Sequence, residues 1–204
     1  MSLISRELAC VRGHRTLFEK LDFTLAPGYV LLVEGDNGSG KTSLLKMLAG
    51  LRAPDHGDIL WNGTSIRTLG ADYRSQLLWL GHANGLKEDL TAAENLRIAQ
   101  ALHARTDRKI NQVLEMVRLR GYKHTRPRLF SAGMKRRLAL ARLLLQQAPL
   151  WILDEPQASL DVTGIAMLES FVHQHLADGG MAVMTSHHSV SLDDECLVRL
   201  RLTP

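Results

Sequence analysis

Positions 35 to 42 constrain this chain more than any other stretch, because Gly35, Asp36, Asn37, Gly38, Ser39, Gly40, Lys41 and Thr42 fit the pattern G-x-x-x-x-G-K-[ST]. Glycines let a backbone curl so that successive N–H groups point inward at phosphate oxygens. A helix that follows presents its positive N-terminal end to the same anion. Lys41 then supplies a mobile charge for β- and γ-phosphates, Thr42 a hydroxyl ligand for Mg²⁺, and Ser43 continues the same binding set. The pattern needs a strand before it and a helix after it. Tyr29 to Val33 reads as a short buried strand. Thr42 to Ala49 reads as a helix, with Leu44, Leu45 and Leu48 on one side and Gly50 as its stop. A chance glycine-rich turn has no reason to carry both flanks.

A second constellation lies far downstream. Leu150, Trp151, Ile152 and Leu153 form an apolar run that ends in Asp154 and Glu155. Alone this is a common strand terminus. Behind a phosphate-binding loop it reads as a metal and base pair: Asp154 holds Mg²⁺ directly or through water, and Glu155 polarises an attacking water.

Apolar strands alternate with amphipathic helices, which predicts an α/β class. Further strands are expected at Asp58 to Trp61, running into a turn at Asn62 and Gly63, at Leu77 to Leu80, at Met181 to Thr185 and at Cys196 to Leu202. From about 82 to 148 the texture is helical. Thr91 and Glu94 make a capping box opening a helix to about His103, another covers Arg108 to Val117, and Lys135 to Gln147 is apolar around most of its girth and should be buried. The expected organisation is one domain over 2–204, with a core of about 2–81 and 149–204 and a helical insertion of about 82–148.

Length and charge narrow the setting. The 204 residues suit one domain, and no apolar run reaches the roughly 18 residues that cross a bilayer. The first ten residues lack a signal peptide's apolar core, so the chain is expected in the cytosol, with any membrane role through a partner. The net charge of +4 is modest, and the cations are scattered apart from Lys135, Arg136 and Arg137, expected to be a solvated face with local phosphate or carboxylate partners. Cys10 and Cys196 lack a CxxC spacing and are expected to stay reduced.

The run Phe130, Ser131, Ala132, Gly133, Met134, shortly before the acidic-ended strand, resembles the LSGGQ signature of ABC (ATP-binding cassette) ATPases. Ser131 and Gly133 are kept, whereas Phe130, Ala132 and Met134 depart from the commonest form. The resemblance covers nearly the whole chain. It implies a P-loop NTPase of ABC type, with a mixed-sheet core and a helical subdomain, binding ATP and Mg²⁺. It implies a head-to-tail dimer of two copies with two nucleotides sandwiched between them, Ser131 and Gly133 reaching ATP in trans. Asp161, in Ser159, Leu160, Asp161, matches the loop that couples the two sites. His187 matches the switch histidine and joins Glu155 and Lys41 as a catalytic residue; a metal role for His187 and His188 lacks a third ligand at suitable spacing. His82 stands where the family has a metal-contacting Gln, and an imidazole suits Mg²⁺ less well than an amide oxygen. Arg12 stands where an aromatic ring stacks on adenine; a guanidinium can stack there, or Arg12 is an exposed loop charge.

A narrower resemblance rests on WLGHANGLKEDLTAAENL, FSAGMKRRLALARL and PQASLD. These are similar to the ATP-binding subunits of the bacterial cytochrome c maturation system, from about Leu3 to Leu202. That resemblance implies a translocase-type ATP hydrolase, peripheral on the cytoplasmic face of the inner membrane and bound to integral membrane subunits. It would drive haem export, or release of a haem-loaded periplasmic chaperone. The chain has no CxxCH and its nine histidines are dispersed, so no direct haem binding is expected, and no nucleic acid. Two alternatives stand beside it: an ATPase subunit of another ABC transporter, and a soluble ABC ATPase acting on nucleic acid or ribosomes. One P-loop and no heptad run argue against the second.

Overall fold

In the computed structural model the described residues are 1–102, 106–186 and 193–202. The chain opens with a hairpin of β1 (Leu3–Arg12) and β2 (Arg15–Leu25), then β3 (Val30–Glu34) and α1 (Lys41–Leu48). β4 (His56–Trp61) and β5 (Thr64–Ser65) follow, then one-turn helices α2 (Ile66–Leu69) and α3 (Ala71–Arg74) and strand β6 (Leu77–Leu80). Three helices come next, α4 (Ala92–Leu102), α5 (Ile110–Met116) and α6 (Ala132–Leu145). β7 (Leu150–Leu153), α7 (Val162–Ala177), β8 (Met181–Thr185) and β9 (Leu197–Arg201) complete the order.

Two sheets result. An antiparallel one runs β2-β1-β4-β5, and a parallel one runs β6-β7-β8-β3-β9. In the parallel sheet Leu150 pairs with Met181, and Val33 with Thr185. The carboxyl ends of β3, β7 and β8 therefore lie at one edge, where α/β sheets place their ligands. Every residue of β7 and β8 is buried, as expected of strands covered on both faces. Their side chains alternate between two cores. Leu31, Val33, Ile152 and Val183 join α1 and the antiparallel sheet; Val30, Leu32, Trp151 and Leu153 join α6 and α7.

A third core holds Leu96 of α4, Val113 and Leu114 of α5, and Leu138, Ala141, Leu144 and Leu145 of α6. Helix α6 also contributes Ala139, Leu140 and Leu143 to the parallel sheet's core. Two cores on one helix explain why its apolar positions wrap around its girth. α6 starts at Ala132, three residues before the sequence suggests, because Ser131 Oγ accepts from the Met134 N–H at 3.2 Å and caps it. The capping box is present: Glu94 accepts from the Thr91 N–H at 2.7 Å, and Thr91 Oγ1 accepts from the Glu94 N–H at 3.3 Å. His103, where that helix was expected to end, lies outside the described residues.

Strands β1 and β2 were not expected from hydropathy. Register shifts around Leu8 and Cys10, with left-handed residues at Glu7 (φ 46°) and Lys20 (φ 51°), break the period-two alternation that marks a strand. Among the described residues no helix is long and apolar enough to cross a membrane.

Candidate active site

The loop from Gly35 to Gly40 joins β3 to α1. Glycine is required at both ends. A Cβ on Gly35 (φ 146°) would sit 2.7 Å from the Leu202 carbonyl, and one on Gly40 (φ 105°) would sit 3.2 Å from the Phe18 ring. The second contact shows that the β1–β2 hairpin packs against the loop. Lys41 is buried, and its Nζ donates to the Gly35 carbonyl at 2.6 Å and the Asp36 carbonyl at 3.0 Å. No side chain caps α1, which leaves first-turn N–H groups for an anion. Ser39 Oγ is buried and has no partner among the described residues. A backbone curl with an uncapped helix end, a buried cation and an orphaned hydroxyl is chemically suited to polyphosphate.

β7 delivers Asp154 to the same edge of the sheet. The Asp154 N–H donates to the Leu80 carbonyl at 2.7 Å, and the side chain is 2 % exposed. Thr42 Oγ1 lies 3.0 Å from Asp154 Oδ2, and Thr185 Oγ1 donates to Asp154 Oδ1 at 3.0 Å. The Thr185 hydroxyl in turn accepts from the Glu155 N–H at 2.8 Å. Glu155 adopts a left-handed conformation (φ 48°), so the chain turns sharply as it leaves the strand. A hydroxyl beside a carboxylate is a hard-oxygen set that fits a Mg²⁺ ion keeping several waters. Among the described residues no group of three His, Cys, Asp or Glu could hold a metal.

The other expected residues are spread over several elements. His82 Nδ1 is 4.0 Å from Glu155 Oε2. That contact sets the exposed imidazole beside the base candidate. Ser131 caps α6, and a Cβ on Gly133 would meet the Ser159 carbonyl at 2.9 Å, so the signature loop packs tightly on the segment after β7. Asp161 caps α7 by accepting from the Gly164 N–H at 2.9 Å, and Arg137 Nη2 reaches it at 2.6 Å. Both bonds, that to Arg137 first, hold its carboxyl below the usual range. Arg12 is exposed at the β1–β2 turn, in register with Arg15. His187 lies outside the described residues.

One expectation is corrected. In the basic run, Lys135 pairs with Glu88 and Arg137 with Asp161, as read. Arg136 does not face solvent. It is 2 % exposed and bonds backbone carbonyls beside both carboxylates. Its position four residues before Leu140 and seven before Leu143 puts it on a buried stripe, a signal that the cluster of charges masked. Thr185, the link between Asp154 and Glu155, was also missed as a site residue, since an apolar strand ending in threonine carries no chemical mark.

A phosphate loop, an acidic-ended neighbouring strand and a helical layer carrying a serine-capped signature define an ABC-type ATP-binding and ATP-hydrolysing domain. The family model for ABC transporters matches residues 18–158, and the chain belongs to that family. It is similar to the cytochrome c biogenesis ATP-binding export protein CcmA of Methylococcus capsulatus, 48% identical over 196 residues, 95% of each chain. The protein of that name from Nitrosomonas europaea is 47% identical over 190 residues, 92% of this chain and 89% of the other. A solved ATP-binding subunit of an ABC transporter superposes with a TM-score of 0.87 at 27% identity, covering all of this chain and 89% of that one.

Proposed function

We propose that this chain is the ATP-hydrolysing subunit of an ABC transporter complex in c-type cytochrome biogenesis. The observation that carries the reading is identity near one half along almost the full length of proteins of that name. The cargo step is haem export or release of a haem-loaded periplasmic chaperone. Two copies pair head to tail, and integral membrane subunits hold the pair at the cytoplasmic face of the inner membrane.

The chemistry is phosphoryl transfer to water. The loop amides from Asp36 to Ser43 and the Lys41 ammonium neutralise charge on the β- and γ-phosphates. Thr42 and Asp154 would hold Mg²⁺, which when bound would offset the charge that develops on the phosphates. Glu155 orients and deprotonates the attacking water. His82 stands beside that carboxylate, 4.0 Å from Glu155 Oε2. His187 positions the water, Ser131 and Gly133 of the partner copy close over the γ-phosphate, Asp161 lies in the loop that couples the two sites, and Arg12 stacks on the base.

The test is a pull-down of tagged Glu155→Gln protein from native membranes with ATP, with partners identified by mass spectrometry and the eluate scanned for haem absorbance. Cytochrome c maturation membrane proteins are expected. An unrelated permease would keep the ATPase mechanism and discard the haem pathway. Ribosomal or DNA-repair partners would overturn the membrane assignment.

A further inference from the structure

Arg136 is a buried side chain with five hydrogen bonds among the described residues, and the hydrolytic reading leaves it unused. Its Nε donates to the Pro156 carbonyl at 3.1 Å. Nη1 donates to the Gly81 carbonyl at 2.9 Å and to Asn84 Oδ1 at 3.1 Å. Nη2 donates to the Asp154 carbonyl at 3.0 Å and the Glu155 carbonyl at 2.7 Å. A guanidinium has five N–H groups in a rigid plane, and each finds an acceptor here. The acceptors belong to two loops, one after β6 and one after β7, which are adjacent parallel strands. Burial draws the guanidinium's pKa down, and the Asp154 and Glu155 charges oppose that shift; an arginine still keeps its charge at neutral pH.

The two peptide groups around Glu155 are thereby held from opposite sides. Thr185 takes the N–H at 2.8 Å, and Arg136 takes the carbonyl at 2.7 Å. Between them the residue keeps a left-handed φ of 48° that a glutamate does not adopt freely. Arg136 stands on α6, one and a half turns from Ser131 at the cap of the same helix.

We propose that Arg136 is a positioning residue for hydrolysis: it locks the loop bearing Asp154 and Glu155 and the loop bearing His82 to the signature helix, so that engagement of the signature by nucleotide is felt at the same chain's carboxylates. This rests on the hydrolytic reading above. A lysine keeps the charge but carries its three N–H donors on a single nitrogen, which cannot reach acceptors spread over two loops as the planar fork does. The lock therefore needs the fork and not the charge alone.

The experiment compares wild type with Arg136→Lys and Arg136→Gln, each first shown by thermal melting to fold. ATP affinity, turnover at saturating ATP, and amide hydrogen exchange are measured for each. The expected result is ATP affinity within about twofold of wild type and turnover lower by on the order of 10- to 100-fold. Exchange should rise in both 81–84 and 154–157 and stay unchanged in 35–42. Near-normal turnover in Arg136→Lys overturns the proposal. So does an equal fall in affinity and turnover with exchange raised throughout, since that is a general loss of packing. A wild-type chain that binds no ATP would refute the hydrolytic reading itself, while the exchange pattern would still decide whether Arg136 ties the two loops.

Discussion

Thr42 Oγ1 and Asp154 Oδ2 are 3.0 Å apart although 112 positions separate them in the chain. The contact arises because β3 and β7 end at one edge of a parallel sheet, with β8 between them. It joins the phosphate loop to the acidic strand through two oxygen-bearing side chains. Replacing Asp154 by Asn should remove Mg²⁺-dependent turnover by on the order of 100-fold or more. ATP binding in chelator should persist through the loop amides and Lys41. A Mg²⁺ titration of turnover checks this, and an unchanged metal requirement in the variant would refute the assignment.

Glu155→Gln should bind ATP and hydrolyse it slower by on the order of 10²- to 10⁴-fold, the usual worth of a general base. The same variant should elute from a sizing column as a dimer with ATP and as a monomer without it. Normal turnover would sink the base assignment.

His175 sets one branch of the pH dependence of stability. Its ring stacks on Trp151 with centroids 4.0 Å apart, and its Nε2 donates to the Met181 carbonyl at 3.1 Å. Burial holds its pKa below the ordinary 6.5, while the Met181 carbonyl, Asp178 and the Pro149 backbone partly oppose the shift. Below 6.5 the unfolded chain therefore binds more protons than the folded one, so this contribution is complete above 6.5 and fades as pH falls. Urea unfolding at about pH 7.5 and about pH 5.5 should show wild type losing more stability on acidification than His175→Phe. Equal losses would contradict it.

Tyr73 tests the core apart from the chemistry. Its hydroxyl is buried and donates to the Leu48 carbonyl at the end of α1, its ring meets Trp61 edge-on at 5.7 Å, and burial raises its pKa. Tyr73→Phe should cost about 1 kcal/mol by leaving that carbonyl unpaired. Denaturant midpoints measure the loss, and ATP affinity should not move.

The phosphate loop, the acidic strand and the helical layer were legible in the chain because each is a local pattern. The glycine spacing, the apolar run ending in two carboxylates and the Thr91 to Glu94 box act over a few residues, so hydropathy and side-chain type suffice to see them. The β1–β2 hairpin was not legible, because bulges destroy the alternation that would betray it.

What only the tertiary structure decided is how those pieces meet. Nothing in the spacing of Thr42, Asp154, Thr185 and Glu155 says that one hydroxyl would bridge two carboxylate residues, or that Phe18 would back the phosphate loop. Arg136 shows the limit best. As sequence it is the middle of three cations, and as structure it is buried among five acceptors from two loops. Whether a charged side chain faces water or satisfies buried carbonyls depends on which loops converge on it. Convergence is set by the pairing of distant strands, which no local pattern encodes.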